Sequence, residues 1–395
     1  MTFDKKGSVI ITGINGQLGQ FFAKYLQDNQ PNIKIIGTIR HKSYDKQDYI
    51  FDSNKITWEL MDLSDVHSID NLINKYKSDY FLNSAANAFV GDSWKLPVQH
   101  IEQNTIGVLH QLEAIRKHSP HTRYFNMGTS EEFGNDFNDG QFQNENTPIN
   151  PKSPYGCSKA AARYLISVYR KSYGLYAIQN WTFNFESELR GEKYVTKKIT
   201  QGAARIKKAI DNNCNFEPIE LGNLDSVRSW QFCGDVADSI WRSLNQEIYN
   251  EELLKKLSGY PLYLTNKPRM GSERHLQILQ DTRVLSKFIK EYVVSTKESH
   301  TIRELVEKSF LCLGINGVWS GTGLDEKFLI TTCDKNNQNI KSSPLVKINA
   351  LYFRPSDVTF LNGDSSKITK ELGWKSTLSF NQLIDRMVKW DLKQV

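Results

Sequence analysis

Short β-branched apolar runs alternate with segments of helical periodicity in the first half of the chain. The runs lie at residues 8–12, 34–39, 57–61, 80–84 and 123–128. In the helical segment after the first run, Leu18, Phe22 and Leu26 share one face. Strands that alternate with helices in this way are typical of a parallel sheet covered on both faces. We therefore predict an α/β fold with a Rossmann-type, doubly wound parallel sheet.

Two more helices and one more strand complete this pattern. A helix is predicted at 66–76 and a longer one at 98–117, in which Asn104 is expected to be a buried polar residue. The apolar side of the longer helix is predicted to contain Ile101, Ile106, Leu109, Leu112 and Ile115. A further helix ends before Gly174, a residue suited to a helix C terminus, and a strand is predicted at 176–181.

The pattern changes after residue 183, where charged loops separate shorter elements. We predict an NADP-binding Rossmann domain at 1–183 and a smaller α/β substrate-binding domain at 184–395, whose chain crosses back to the first. The lysine-rich segment at about 245–290 has weak periodicity and is interpreted as an insertion. A strand is predicted at 292–295. Thr301 and Ser379 begin sequences typical of helix N termini.

A glycine turn connects the first strand to the first helix. A turn in this position lets a pyrophosphate approach the backbone and places it at a helix N terminus, which supplies free N–H groups. This context predicts a dinucleotide site. Its expected contacts are Gly13, Asn15, Gly16, Gln17, Leu18 and Gly19.

The end of the second strand indicates which dinucleotide binds. Arg40 and Ser43 lie there, and no carboxylate follows closely. A carboxylate would hold the ribose 2′-hydroxyl of NAD, whereas Arg and Ser can hold the 2′-phosphate of NADP. We therefore predict NADP. Later strand ends add Asp62 and Leu63 beside the adenine, and Ala85 and Ala86 beside the nicotinamide half.

Candidate catalytic residues surround the fifth strand and the helix after it. Thr129, Ser130 and Glu131 follow the strand at its carboxyl end. Tyr155 and Lys159 have i, i+4 spacing, so their side chains share one helix face. The lysine charge is expected to lower the pKa of Tyr155 from about 10, which would make the phenol a base near neutral pH.

Spacing alone does not identify this pair. Tyr194 with Lys198, and Tyr263 with Lys267, have the same spacing, as expected by chance in a chain with 17 tyrosines. The upstream hydroxyl and carboxylate residues distinguish Tyr155.

Composition narrows the class of protein. The chain has 395 residues, with 50 Lys plus Arg against 44 Asp plus Glu, and no basic block. This charge pattern fits a small anionic ligand better than a nucleic acid. The cysteines are odd in number, scattered and without a Cys-x-x-Cys pair, so neither a disulfide framework nor a metal site is indicated. Without a secretory or membrane-spanning apolar run, a cytoplasmic protein is expected.

The candidate residues suggest two linked reactions. A nicotinamide cofactor beside Tyr155 and Thr129 implies oxidation of an alcohol. A sugar ketone acidifies the neighbouring C–H, so Glu131 could remove that proton and allow a β-hydroxyl to leave as water. Return of the hydride would then regenerate the cofactor. Glu132 is a rival for the role of this base.

Several stretches resemble the extended short-chain dehydrogenase/reductase superfamily and, within it, the GDP-mannose 4,6-dehydratase family. They are Thr129-Ser-Glu-Glu-Phe-Gly134, Ser153-Pro-Tyr-Gly-Cys-Ser-Lys159, Tyr194-Val-Thr-Lys-Lys-Ile-Thr200, Leu221-Gly-Asn-Leu-Asp225 and Tyr352-Phe-Arg-Pro-Ser-Asp-Val358. The resemblance implies a GDP-hexose substrate that is oxidised at carbon 4, dehydrated across carbons 5 and 6, and reduced at carbon 6. It also implies a homodimer or homotetramer.

The resemblance carries site roles to matching positions. Thr129 and Tyr155 serve the oxidation, Lys159 positions the cofactor, and Glu131 acts at carbons 5 and 6. The residues implied to bind substrate are Ser130, Asn184, Glu186, Lys198, Leu221, Gly222, Asn223, Arg228, Arg354 and Asp357.

Departures from the family pattern leave the sugar open. Asn184-Phe-Glu-Ser-Glu188 stands for Asn-His-Glu-Ser-Pro, and Arg228-Ser-Trp-Gln-Phe232 for Arg-Asp-Trp-Gly-His. The substrate could therefore be GDP-mannose or a relative such as a GDP-heptose. The alternative functions are a nucleotide-sugar epimerase or reductase and a non-catalytic NADP-binding sensor or scaffold.

Overall fold

A computed structural model defines the fold and describes residues 6–40, 49–135, 137, 142–246, 288–331, 343–353 and 358–395. Most of the insertion predicted at 245–290 lies outside the described residues.

Six parallel strands form the central sheet. They are β1 (Gly7–Thr12), β2 (Ile33–Ile39), β3 (Ile56–Leu60), β4 (Tyr80–Asn83), β5 (Arg123–Asn126) and β6 (Ala177–Ile178). Their order across the sheet is β3-β2-β1-β4-β5-β6, so the direction of winding reverses between β1 and β4. Ligands of such sheets bind beyond the carboxyl ends of the strands at this reversal. The predicted doubly wound α/β fold is confirmed.

Helices cover both faces of this sheet and continue into the second half of the chain. They are α1 (Gln17–Asn29), α2 (Val66–Tyr76), α3 (Val90–Ser93), α4 (Pro97–Ile101), α5 (Gly107–His118), α6 (Pro154–Tyr173), α7 (Val195–Asp211), α8 (Cys233–Leu244), α9 (Ile302–Leu311), α10 (Ser366–Leu372) and α11 (Phe380–Gln394). Alternation along β1 divides the core, because Val9 and Ile11 belong to one apolar cluster and Ile10 to the other. The first cluster includes residues of both α1 and α8.

The smaller strands lie mostly in the second half. They are β7 (Trp181–Thr182), β8 (Phe185–Glu186), β9 (Ile219–Leu221), β10 (Val227–Arg228), β11 (Gln231–Phe232), β12 (Val293–Val294), β13 (His300–Thr301), β14 (Gly317–Ser320), β15 (Lys327–Ile330) and β16 (Val346–Ile348). Four of them form a sheet in the order β14-β15-β16-β9. This sheet shares an apolar core with α7, α9 and α11. The capping boxes predicted at Thr301 and Ser379 are both present.

The helix predicted at 98–117 is interrupted. A π-helical turn covers Glu102–Ile106 and separates α4 from α5. Such a turn shifts the residues that follow it around the helix axis. As a result Leu112 is fully buried, whereas Ile101 is 37% exposed. The prediction that both lie on one buried apolar face is therefore wrong. Asn104, inside the turn, is buried as predicted.

The strand predicted at 176–181 is two strands in different sheets. β6 pairs with β5, whereas β7 pairs with β12. Gln179 and Asn180 separate them, and both side chains are fully buried. The Asn180 side-chain oxygen accepts a hydrogen bond from Tyr292 N at 3.0 Å, which directs the chain away from the central sheet. Pattern alone could not reveal this break, because it depends on a partner more than a hundred residues away.

A buried ion pair joins α11 to α7. Lys197 donates to the Asp391 carboxylate, and Thr200 Oγ1 donates to Asp391 Oδ2 at 2.6 Å. Removing one partner of a buried pair leaves an uncompensated charge, so we expect Asp391→Ala to lower the free energy of unfolding by about 3–5 kcal/mol. Urea denaturation measures this change. As a control, Asp385→Ala removes the exposed pair with Lys389 on the same helix and should cost only about 0.3–0.5 kcal/mol. Equal losses would contradict a structural role for the buried pair.

Candidate active site

A short turn follows β5 and carries the predicted catalytic residues. Thr129 caps a 3-10 turn over Ser130–Glu132, and its hydroxyl accepts a hydrogen bond from Glu131 N at 3.2 Å. In return, the Glu132 carboxylate accepts from Thr129 N at 3.0 Å. All four residues are buried. The turn therefore holds Thr129 and Glu131 in fixed positions at the carboxyl edge of the sheet.

Helix α6 packs directly on this turn. Ser153 caps the helix by accepting from Gly156 N at 3.0 Å. A Cβ at position 156 would lie 2.8 Å from Glu131 O, so a side chain there would prevent the close packing of α6 on the turn. The hydroxyls of Tyr155 and Thr129 are hydrogen-bond partners. The structure thus brings together the predicted catalytic residues of strand and helix.

The expected effect of Lys159 on Tyr155 is not present in this structure. Burial raises the pKa of Tyr155, and the nearby Tyr194 and Glu131 raise it further, whereas the hydrogen bond with Thr129 lowers it. Burial also lowers the pKa of Lys159 to about 8, against a raising effect of Glu132. The Lys159 ammonium donates to Met127 O at 2.9 Å. Burial of both groups outweighs the attraction that their helical spacing suggested.

Glu131 and Glu132 differ in their surroundings although both are buried. The Glu132 carboxylate accepts from Arg163 Nε at 2.5 Å and from Gln179 Nε2 at 2.9 Å, in addition to the backbone of the turn. Both carboxylates raise the pKa of the Tyr155 phenol, and Glu131 raises it more than Glu132 does. Glu131 therefore has the stronger effect on the candidate proton-transfer group, whereas Glu132 is the partner of Arg163.

The glycine turn after β1 has the geometry that a dinucleotide requires. Gly13 has a φ of +63°, and a Cβ there would lie 3.0 Å from the Ala85 Cα. A Cβ on Gly19 would lie 2.5 Å from Gly13 O. Gly16 caps α1 without a side chain, so no side chain blocks the N–H groups of the first helical turn. Asn15 is exposed beside it. These residues fit a pyrophosphate.

The other predicted cofactor residues differ in their burial and in their hydrogen-bond partners. Gln17 Nε2 donates to Phe185 O at 3.2 Å, which connects the glycine turn to the strand after residue 184. Leu18 and Leu63 are buried. Asp62 accepts from Ser64 N at 2.8 Å and therefore supports a turn.

Arg40 is exposed at the carboxyl end of β2, whereas Ser43 lies outside the described residues. Ala85 N donates to Thr12 Oγ1 at 3.1 Å, and Ala86 follows it.

Predicted substrate residues form two groups. Glu186 is buried beside Arg190, at 3.2 Å, and accepts from Thr196 Oγ1 at 2.8 Å. Burial raises the pKa of Glu186. Asn184, just before it, has a buried side-chain oxygen with no hydrogen-bond partner among the described residues. Arg228 donates to Val227 O at 2.9 Å.

The second group surrounds a cavity of about 460 Å³ at the end of β9. Gly222 and Asn223, which follow Leu221, line it together with Leu324 and Phe353. Beside it, Lys198 Nζ lies 3.5 Å from the centre of the Tyr352 ring. The predicted residues Arg354 and Asp357 lie outside the described residues.

Two residues that depart from the family pattern, Glu188 and Gln231, make contacts that support the fold. Glu188 forms a paired contact with Arg386 of α11, in which Arg386 Nε donates to Glu188 Oε2 at 2.7 Å. Gln231 Nε2, in β11, donates to Phe183 O and to Val294 O, which connects β11 to β12 and to the residue after β7. These side chains therefore hold the second half of the chain together.

Tyr194 is a site residue that sequence reasoning set aside. Its ring lies under the Arg190 guanidinium, 3.5 Å from the ring centre, and edge-on to Phe89 at 5.4 Å. Tyr194 also raises the pKa of Tyr155, which places the two phenols close together. The Tyr194 and Lys198 spacing was the available signal, but we attributed it to chance because it also occurs elsewhere.

The described residues lack two features, a membrane-spanning helix and a metal-binding cluster. None of the helices is long and apolar enough to cross a membrane. In the same part of the chain no three His, Cys, Asp or Glu side chains cluster in a way that could hold a metal ion.

Comparison with known proteins gives a consistent result. The family model for GDP-mannose 4,6 dehydratase matches residues 10–258 and 280–387. GDP-mannose 4,6 dehydratase 1 of Arabidopsis thaliana is 32% identical over 97% of this chain and 89% of that protein. A Bacillus anthracis dTDP-glucose 4,6-dehydratase in complex with NAD has a TM-score of 0.67 and 18% identity, over 98% of this chain and 96% of that one. RMD from Pseudomonas aeruginosa complexed with NADPH has a TM-score of 0.66 and 15% identity, with 99% coverage of each chain.

Proposed function

This chain belongs to the GDP-mannose 4,6-dehydratase family, and we propose that it converts GDP-mannose to GDP-4-keto-6-deoxymannose. The reaction is an oxidation at carbon 4, elimination of water across carbons 5 and 6, and reduction at carbon 6. One observation carries the proposal: Glu131 and Tyr155 are buried at the same strand end, close enough for the carboxylate to raise the pKa of the phenol. An alcohol oxidation needs only one proton-accepting side chain, whereas oxidation followed by dehydration needs two.

The first step uses Tyr155 and Thr129. When bound, the nicotinamide cofactor accepts a hydride from carbon 4 and later returns it. The Tyr155 oxygen takes the proton of the 4-hydroxyl, and the Thr129 hydroxyl orients that oxygen through their hydrogen bond. Because burial raises the pKa of Tyr155, the phenol is kept protonated until the positive charges of a bound complex favour its ionised form.

The second step uses Glu131. The 4-keto group acidifies the hydrogen on carbon 5, and the Glu131 carboxylate takes that proton. A double bond forms between carbons 5 and 6 while the bond from carbon 6 to its hydroxyl breaks. The protonated Glu131 is the acid beside the departing hydroxyl, which leaves as water. Hydride return to carbon 6 and addition of a proton from solvent to carbon 5 complete a reaction without net redox change.

The direct experiment is incubation of the purified protein with GDP-mannose. We expect a product that has lost one water and carries a ketone, detected by mass spectrometry and NMR. Absence of such a product with every GDP-hexose and GDP-heptose tested would refute the proposal.

We propose that the nucleotide part of the substrate occupies the cavity at the end of β9. Glycine at 222 supports close backbone approach, since a Cβ there would lie 2.7 Å from Tyr352 O. Leu324 and Phe353 supply an apolar lining for a planar base. Lys198, at the start of α7, supplies a positive charge for the diphosphate.

We propose NADP as the cofactor, because Arg40 directly follows β2 and no carboxylate follows it closely in the sequence. Arg40→Ala should weaken NADP binding by roughly 10- to 100-fold, as expected for loss of one charge-assisted hydrogen bond. NAD binding should change little. Calorimetric titration of wild type and variant with both dinucleotides measures this difference, and equal losses for both would contradict NADP preference.

We also propose a homodimer or homotetramer. An apolar strip on α4 and α6 supports this, since Val98 is 68%, Tyr164 59% and Val168 52% exposed. We expect Val168→Asp to shift the assembly towards monomer, because a charge would be buried in the interface. Light scattering coupled to size exclusion measures the change, and a monomeric wild type would contradict the proposal.

A cytoplasmic location is proposed from the cysteines. Cys157, Cys214, Cys233 and Cys312 are all free thiols. Unpaired, scattered cysteines are typical of reducing compartments.

A further inference from the structure

We propose that Glu132 and Arg163 form a buried positioning pair, which holds the turn bearing Glu131 against the turn of α6 that carries Lys159. Only the kinetic measurement in the test below rests on the proposed function. Glu132 contacts Thr129 through the backbone N–H of that residue, and Arg163 contacts Glu132, so both are positioning rather than catalytic residues.

The Glu132 carboxylate is fully engaged. Its Oε1 accepts from Thr129 N at 3.0 Å and from Gln179 Nε2 at 2.9 Å, and its Oε2 accepts from Arg163 Nε at 2.5 Å. The side chain is completely buried. A carboxylate with this many donors is held in one position. Because Glu131 directly precedes Glu132 in the turn, the backbone of Glu131 is held in the same fixed geometry.

Arg163 is held just as firmly from the other side. Its Nη1 donates to Gln179 O at 2.6 Å and to Glu291 Oε2 at 3.2 Å. The guanidinium lies 3.6 Å from the centre of the Trp181 ring. Glu291 also pairs with Arg170 at 3.1 Å. Two carboxylates and two guanidinium groups therefore balance their charges in a site shielded from water.

Gln179 connects this cluster to the catalytic helix and to the sheet. Besides Glu132, its side-chain nitrogen donates to Lys159 O at 3.0 Å. Its side-chain oxygen accepts from Asn126 Nδ2 at the end of β5. The strand end, the turn and the helix turn that carries Lys159 thus share one hydrogen-bond network, which fixes their spacing.

The same network supplies a charge to Lys159. Burial lowers the pKa of this lysine to about 8, and Glu132 is the charged group that raises it. The other groups that face Lys159 are the neutral phenol of Tyr155 on its own helix and Met127 O on the strand side. Arg163 and Glu291 lie behind Glu132. Without the negative charge of Glu132, the ammonium would lose its proton at lower pH.

The test begins with Glu132→Gln, which preserves the shape and hydrogen-bond acceptor but removes the charge. We expect the pKa of Lys159 to fall by about one unit, a tenfold change in its protonation equilibrium. NMR titration of lysines labelled with carbon-13 at Cε, assigned with Lys159→Met, measures this shift without any substrate. The high-pH limb of the kcat profile for dehydration should move down by the same interval.

A second variant covers the case in which the single change does not fold. Glu132→Leu/Arg163→Leu removes both charges together, and isosteric apolar replacement of a buried pair is often tolerated. It should lower the pKa of Lys159 by less than Glu132→Gln does, because the positive charge of Arg163 is lost as well, and it should reduce kcat by roughly tenfold or more. As a control, Glu113→Gln breaks the ion pair with Arg116, at 2.7 Å on α5, and should leave Lys159 unchanged.

An unchanged Lys159 titration in a folded Glu132 variant would overturn the proposal. Failure of the proposed function gives a different result, namely no dehydration by the wild type, while the NMR titration still reports on the pair.

Discussion

Glu131→Gln is expected to stop turnover after oxidation at carbon 4. The amide keeps the size of the side chain and its place in the buried turn, but it cannot take the proton from carbon 5. Loss of a positioned general base costs about 10²- to 10⁴-fold in rate. Because oxidation does not need this carboxylate, hydride transfer to the cofactor should still occur. A single turnover with GDP-mannose should therefore show reduced cofactor, by absorbance, that persists instead of being consumed.

The control for this variant is Glu102→Gln, which changes an exposed carboxylate in the π-helical turn. It should retain the wild-type rate and leave no reduced cofactor. Full dehydration by Glu131→Gln would exclude this residue as the base. The role of the base would then pass to its rival, Glu132.

Tyr155→Phe is expected to block the reaction one step earlier. The phenyl ring preserves packing against His100, whose ring centre lies 6.4 Å away, but removes the oxygen that takes the proton of the 4-hydroxyl. We expect a rate loss of about 10²- to 10⁴-fold in both oxidation and dehydration. No reduced cofactor should form in a single turnover. Dinucleotide affinity, measured by calorimetry, should remain near that of the wild type because the glycine turn is unaffected.

Tyr173→Phe is the matched control, since Tyr173 is on the same helix and 39% exposed. It should behave as the wild type. Reduced cofactor in Tyr155→Phe at the wild-type rate would contradict the role of the phenol. The two variants together separate the steps: one accumulates reduced cofactor and the other forms none.

The elements of the Rossmann half were predictable because each depends on local pattern. β1 through β5 and α2 lie within two residues of the predicted positions, since buried strands and amphipathic helices have different periods. The interruption at Glu102–Ile106 and the break at Gln179 were not predictable. Both depend on buried polar side chains whose partners are distant in sequence.

The candidate site was predictable in part for the same reason. Thr129, Tyr155 and Lys159 were identified from short motifs, and the structure brings them together. The choice between Glu131 and Glu132 required knowledge that Arg163 pairs with Glu132. The pKa of Tyr155 required knowledge of burial, which outweighs the helical spacing of the lysine. Spacing predicts which side chains share a face but not how much water they retain.

The most direct measurement follows the hydrogen on carbon 4. With GDP-mannose deuterated at carbon 4, the deuterium should appear at carbon 6 of a 4-keto-6-deoxy product, because the hydride removed in the oxidation is the one returned. In D2O, unlabelled substrate should gain one deuterium at carbon 5. Deuterium that returns to carbon 4 without loss of water, or a substrate that is never consumed, would contradict a dehydration completed in one site.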